Sequence, residues 1–141
     1  MSSTTKPPLV LLVEDEIFIR MDVADLLTDA GFRVIAEVNG DHALAVLTVR
    51  SDVDVLFTDI NMPGQLNGSA LARIVDMRWP GIAIVATSGA GRPAPGELPD
   101  TARFLPKPSP PSVLVETVKA ALAATSQAAA LVRRPAAQWA E

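Results

Sequence analysis

Six residues able to do chemistry sit where short apolar runs end. Glu14 and Asp15 follow LVLLV, Asp59 follows VDVLFT, Thr87 closes IAIVAT with Ser88 after it, and Lys107 follows RFLP. If those runs are neighbouring parallel strands, the six side chains meet at one edge, because ligand sites of open parallel sheets lie beyond the strand carboxyl ends. Three carboxylates gathered without a cation repel one another, so such a cluster either holds a hard divalent ion or raises at least one pKa. Mg2+ suits the cluster, since it takes a few carboxylate oxygens and keeps water at its other positions. An Asp carboxylate there can act as a nucleophile on phosphorus and form an acyl phosphate, while the cation and Lys107 neutralise the transferring oxygens. A hydroxyl at the end of the fourth run can donate a hydrogen bond to a phosphoryl oxygen on Asp59.

Taken singly, each residue has a commoner structural role. Asp59 precedes a loop marked by Pro63 and Gly64, where Asp serves turns. Glu14 and Asp15 suit a helix start. Thr87, Ser88 and Lys107 fit ordinary loop or surface positions. Their ordered occurrence at four strand ends carries the functional reading. His42, the only histidine, has no partner in the pattern and reads as a surface residue.

The elements that must position these residues follow from periodicity. Leu9 to Val13 is an unbroken apolar run, as expected of a strand buried on both faces. Apolar residues then recur at Ile17, Met21, Ala24 and Leu27 with helical spacing that stops at Gly31. Arg33–Val38 reads as a strand, Asp41–Val49 as a helix, Val53–Thr58 as the third strand and Ser69–Arg78 as the next helix. Ile82–Thr87 and Arg103–Pro106 are the last two strands, and Pro110–Ala124 is the last helix, with a Pro-Pro start suited to a first turn. Between the last two strands, GAGRPAPGELPD is so rich in Pro and Gly that any helix there is short or distorted. The alternation predicts an α/β fold, a doubly wound parallel sheet of five strands. Residues 1–8 read as an N-terminal extension, 9–124 as one domain, and 125–141 as an Ala-rich tail that extends the last helix or is disordered.

Composition narrows the function classes. With 12 Lys and Arg against 16 Asp and Glu, the formal charge is -4, so no basic footprint for nucleic acid exists and direct DNA binding is not expected. The absence of cysteine removes disulfides, thiolate catalysis and Cys-based metal sites. MSSTTKPP and the brief apolar run behind it supply neither a signal peptide nor a membrane span, so a soluble, cytoplasmic protein without membrane contact is expected. Neither a Walker loop nor GxGxxG is present, which argues against a nucleotide enzyme.

Five motifs together point to one family: VEDE (Val13–Glu16), DVLFTDINMPG (Asp54–Gly64), Gly68, TSG (Thr87–Gly89) and FLPKP (Phe104–Pro108). Over roughly Leu9 to Leu122 the sequence resembles receiver domains of two-component response regulators, in single-domain, stand-alone form. The resemblance implies the flavodoxin-like strand order 2-1-3-4-5, which members of this family share. It implies Asp59 as phosphoacceptor and Mg2+ as cofactor, with Asp15 a direct ligand, Glu14 a ligand through water, Asp59 a ligand, and Asn61 offering its backbone carbonyl. Lys107 would pair with the phosphoryl group, followed by a cis bond to Pro108. Ser88 would be the switch hydroxyl, with Thr87 as the alternative, and Phe104 the aromatic that changes rotamer with it; Gly68 would be structural. The implied partners are a sensor histidine kinase or histidine phosphotransfer protein, a downstream protein target, and a second copy in a homodimer. Such a domain is no conventional enzyme, although it promotes its own phosphorylation and dephosphorylation.

Two departures stand out: Ser109 replaces a common aromatic, and the Pro- and Gly-rich crossover alters the usual output face. A metal-dependent phosphohydrolase with Asp59 as nucleophile is a second reading, but it needs an acid two residues on, where Asn61 stands. A degenerate receiver used only for interaction is a third, weakened because every pocket residue is present.

Overall fold

The structure, a computed structural model, describes residues 6–62 and 64–132, with side chains through Ser126. Pro63, the first residues of the N-terminal extension and positions 133–141 of the tail lie outside the described residues.

The apolar runs become five strands: β1 (Leu9–Val13), β2 (Arg33–Glu37), β3 (Val55–Asp59), β4 (Ala83–Ser88) and β5 (Arg103–Pro106). All neighbours pair in parallel, in the order β2-β1-β3-β4-β5. The doubly wound fold and its strand order are therefore as expected. β1, β3 and β4 are buried along their whole length, which explains why they appear as unbroken apolar runs rather than alternating ones. Successive residues point to opposite faces. Leu11, Leu56 and Ile84 meet α2 (Gly40–Val49) and α3 (Gly68–Arg78) through Leu47, Leu71 and Val75. Leu12, Phe57 and Val85 meet α1 (Ile17–Asp29) and α4 (Pro111–Val132) through Leu27, Leu114 and Val118. The two cores hold the strand carboxyl ends at a common edge.

Side-chain caps set where three helices begin. Glu16 accepts from the Phe18 and Ile19 N–H groups, Asn39 from His42, and Asn67 from Ala70. The capping acid of α1 is thus Glu16, and the side chains of Glu14 and Asp15 are left for other work. His42 sits exposed in the first turn of α2.

Residues 89–102, between β4 and β5, form turns and no helix. Pro93, Pro95 and Pro99 lack the N–H that a helix needs, and Gly91 and Gly96 have positive φ (97° and 85°). The segment is held instead by side chains of α3: Ser69 donates to Glu97, Arg73 to the Glu97 carbonyl, and Thr101 donates to Asp76. α4 continues through Val132, into the Ala-rich segment. No described helix is long and apolar enough to cross a membrane.

Candidate functional site

The ends of β1, β3 and β5 converge on a single ammonium group. Lys107 Nζ donates to Glu14 Oε1 at 2.8 Å and to Asp59 Oδ2 at 3.0 Å. Glu14 and Asp59 are buried, at 3% and 6% exposure, and Asp15 is exposed beside them. One carboxylate oxygen from each of Glu14, Asp15 and Asp59 lies within 4.8 Å of the others. Four of the six residues expected from strand-end placement, Glu14, Asp15, Asp59 and Lys107, are thus in one cluster.

Local structure explains how each is held. The Glu14 N–H bonds the Glu37 carbonyl at 3.1 Å, continuing the β1–β2 pairing one residue past the strand. Asp59 Oδ1 accepts from the Asn61 N–H at 3.1 Å, which aims the carboxylate from behind. Gly68 starts α3 directly on the Asp59 backbone, where a Cβ would stand 1.8 Å from the Asp59 carbonyl oxygen. Only a glycine allows that approach. The Lys107 N–H bonds the Ser88 carbonyl at 3.0 Å, and the Lys107–Pro108 peptide is cis.

Ser88 and Thr87 occupy different surroundings. Ser88 Oγ accepts from Asn61 Nδ2 at 2.9 Å and from the Ala90 N–H at 3.0 Å. Thr87 lines a cavity of about 450 Å3 with Phe57, Leu105 and Leu114. Phe104 is half-buried on β5, with the Arg92 guanidinium 5.2 Å from its ring centroid. The arrangement brings Ser88 to Asn61 and sets Phe104 against the irregular crossover.

Burial pushes the Glu14 carboxyl above its usual pKa, outweighing the stabilising bonds from Lys107 and the Glu16 N–H. Burial alone would lower Lys107, but its bonds to Glu14 and Asp59 prevail and hold it above the ordinary lysine value. Against three carboxylates Lys107 supplies one positive charge, so the ionised cluster carries a net charge of -2. All the donor atoms are hard oxygens, and the remaining charge is what a divalent cation neutralises. The residues present fit such an ion.

Arg20 was not anticipated from the sequence. Its Nη1 donates to the Glu14 carbonyl at 2.8 Å and lies 3.4 Å from the Asp15 carbonyl. An arginine bonded to main-chain oxygens leaves no complementary charge to find in a sequence.

The response regulator receiver domain profile matches residues 10–119. The chain belongs to the response regulator receiver domain family. The receiver domain is 29% identical over 112 residues to the chemotaxis protein CheY of Thermotoga maritima, covering 77% of this chain and 92% of that protein. It is 35% identical over 114 residues to the sensor kinase CckA of Brucella abortus, covering 78% of this chain but only 12% of the kinase. Against the transcriptional regulatory protein PdtaR of Mycobacterium tuberculosis it spans 38% of the relative's length. Among solved structures, a response regulator receiver protein from Sinorhizobium medicae superposes with a TM-score of 0.75 at 31% identity, over 84% of this chain and 97% of that one.

Proposed function

We propose that this receiver domain is a phosphoacceptor switch in which Asp59 takes a phosphoryl group with Mg2+ held by Glu14, Asp15, Asp59 and the Asn61 carbonyl. The observation that carries this reading is Lys107 bonded at once to Glu14 and Asp59, residues from two strands, with Asp15 completing the acidic group. Asp59 is the nucleophile, one carboxylate oxygen being oriented by the Asn61 N–H and the other by Lys107. When bound, the cation supplies charge neutralisation for the phosphoryl oxygens. Lys107, already bonded to Asp59 Oδ2 at 3.0 Å, stands where its ammonium would pair with the new phosphoryl group. Ser88 is the switch hydroxyl in this reading. Its oxygen already accepts from Asn61 and Ala90, which leaves its proton to donate to a phosphoryl oxygen. Phe104 responds on the neighbouring strand, and Arg92 carries that response into the crossover.

The donor in this reading is a phosphohistidine of a sensor kinase or phosphotransfer protein, and attack by Asp59 breaks its P–N bond. The output is altered binding to a downstream protein or a second copy, through a surface that the irregular crossover has rebuilt. The domain then promotes both its own phosphorylation and the loss of the phosphate. A phosphohydrolase is disfavoured by Asn61, whose side-chain amide donates to Ser88 and has no acidic proton to give a leaving group. Acetyl phosphate with Mg2+ should add one phosphoryl group by intact mass to wild type and none to Asp59→Asn. Multiple turnover of a phosphoester would support the phosphohydrolase instead.

A further inference from the structure

Resting on the reading of the acidic cluster as a Mg2+ pocket, we infer that Arg20 is the positioning residue that holds the backbone of Glu14 and Asp15 so that their carboxylates face Asp59. The turn between β1 and α1 leaves two main-chain carbonyls to be satisfied from outside the helix ladder. In a helix begun at this point, the Phe18 and Ile19 N–H groups would reach back four residues to the carbonyls of Glu14 and Asp15. Both donors are instead turned to Glu16 Oε1, at 2.8 and 3.0 Å. The two carbonyls are thereby left without helical donors, at the residues whose side chains form the pocket.

Arg20 answers that need from one turn along α1. Its Nη1 donates to the Glu14 carbonyl at 2.8 Å and lies 3.4 Å from that of Asp15. Its own N–H bonds the Glu16 carbonyl at 2.9 Å, so the side chain springs from the first regular turn of the helix. A planar guanidinium has the reach and the several donors to serve both oxygens, which a lysine ammonium on a flexible stem does less well. The bond clamps the acidic pair from the main-chain side and itself occupies no carboxylate oxygen of the cluster.

The clamp and the charge of Arg20 predict opposite signs for one measurement. If Arg20 acted only as a nearby positive charge, removing it would tighten Mg2+ binding, because the cluster would become more negative. If it positions the pair, removing it weakens binding, and groups that orient metal ligands typically contribute about 10-fold or more in affinity. Mg2+ titrated calorimetrically into wild type, Arg20→Ala and Arg20→Lys should show about a 10-fold or greater loss for Arg20→Ala and a smaller one for Arg20→Lys. Binding to Arg20→Ala that is equal to or tighter than wild type overturns the inference. Hydrogen exchange of the metal-free proteins gives a second readout. The Glu14 and Glu16 amides, bonded to the Glu37 carbonyl and to Glu14 Oε2 at 3.1 Å each, should exchange faster in both variants while those of β3 keep wild-type protection; unchanged exchange at Glu14 and Glu16 overturns the clamp. Should wild type itself bind no Mg2+, the pocket reading fails, and the exchange data still decide whether Arg20 holds this turn.

Discussion

Replacing Gly68 with alanine tests whether the position of Asp59 depends on direct contact between two backbones. The added Cβ would stand 1.8 Å from the Asp59 carbonyl oxygen, 2.7 Å from its carbon and 2.8 Å from Ile60 Cα. None of these atoms is the flexible end of a side chain. Such contacts are not found under 3.0 Å, so α3 and the end of β3 must separate by at least 1.2 Å, from 1.8 to 3.0 Å. Forcing extra volume into a packed site costs about 1–3 kcal/mol. The shift also weakens the Gly68 N–H bond to the Ile60 carbonyl, now 3.0 Å, for about 1 kcal/mol more. Helix propensity acts in the other direction, by at most about 1 kcal/mol. The net expectation is a loss of about 1–3 kcal/mol, or roughly 3–9 °C in Tm for a chain of this size. Urea unfolding followed by far-UV circular dichroism measures it, with acetyl phosphate labelling as the functional readout. Labelling should fall at least about 10-fold, since a shift of this size at a reacting group is worth about that much or more. Gly81→Ala is the control: no atom lies within 4 Å of the new Cβ, and its effect should stay within about 0.5 kcal/mol. If Gly68→Ala matches the control in stability and the wild type in labelling, the steric account is wrong.

Lys107→Ala removes the ammonium bonded to two buried carboxylates and should destabilise the Mg2+-free protein by about 3 kcal/mol at pH 7. Because burial already raises Glu14, its protonation on acidification should shrink that deficit, and a deficit that is the same at pH 7 and pH 4 in chemical denaturation contradicts the pairing. Ser88→Ala should still be phosphorylated on Asp59 but lose most of the NMR shift changes that beryllofluoride induces at residues 89–92; an undiminished response would transfer the switch role to Thr87. At the far end of the sheet, Asp52 is held at about 2 by its two bonds to Arg50, with Arg33 adding to the effect. Its folded pKa is depressed, so the stability this pair contributes is present above the ordinary carboxylate range and is lost as pH falls toward 2. An NMR titration should find that midpoint, and Arg50→Ala should return it toward the usual value.

Much of this architecture is visible in the chain because of how it is buried. β1, β3 and β4 are covered on both faces and therefore read as unbroken apolar runs, and their carboxyl ends carry the chemistry. What the residues alone do not reveal depends on contacts distant in sequence or made by the main chain. Three consecutive acids, Glu14, Asp15 and Glu16, look alike as helix-start residues, yet only Glu16 caps α1. The composition of residues 89–100 signals an irregular crossover, but its bonds to Ser69, Arg73 and Asp76 on α3 follow no local pattern. Gly68 carries a family motif, and its physical reason, contact with the Asp59 carbonyl, exists only once α3 packs on β3. Arg20 carries no signal in the sequence because it serves carbonyl oxygens. Strand limits moved by a residue or two where side chains intervene: Asp54 Oδ2 accepts the Leu9 N–H, and β3 starts after it, at Val55.

Asp59 is the group proposed to carry the phosphoryl. Acyl phosphates are reduced by borohydride, which converts a phosphorylated aspartate to homoserine and marks it permanently. After treatment with acetyl phosphate and Mg2+, reduction and peptide mapping, the account predicts homoserine at position 59, absent without Mg2+ and absent in Asp59→Asn. Homoserine at Asp15, or an equally labelled Asp59→Asn protein, would contradict it.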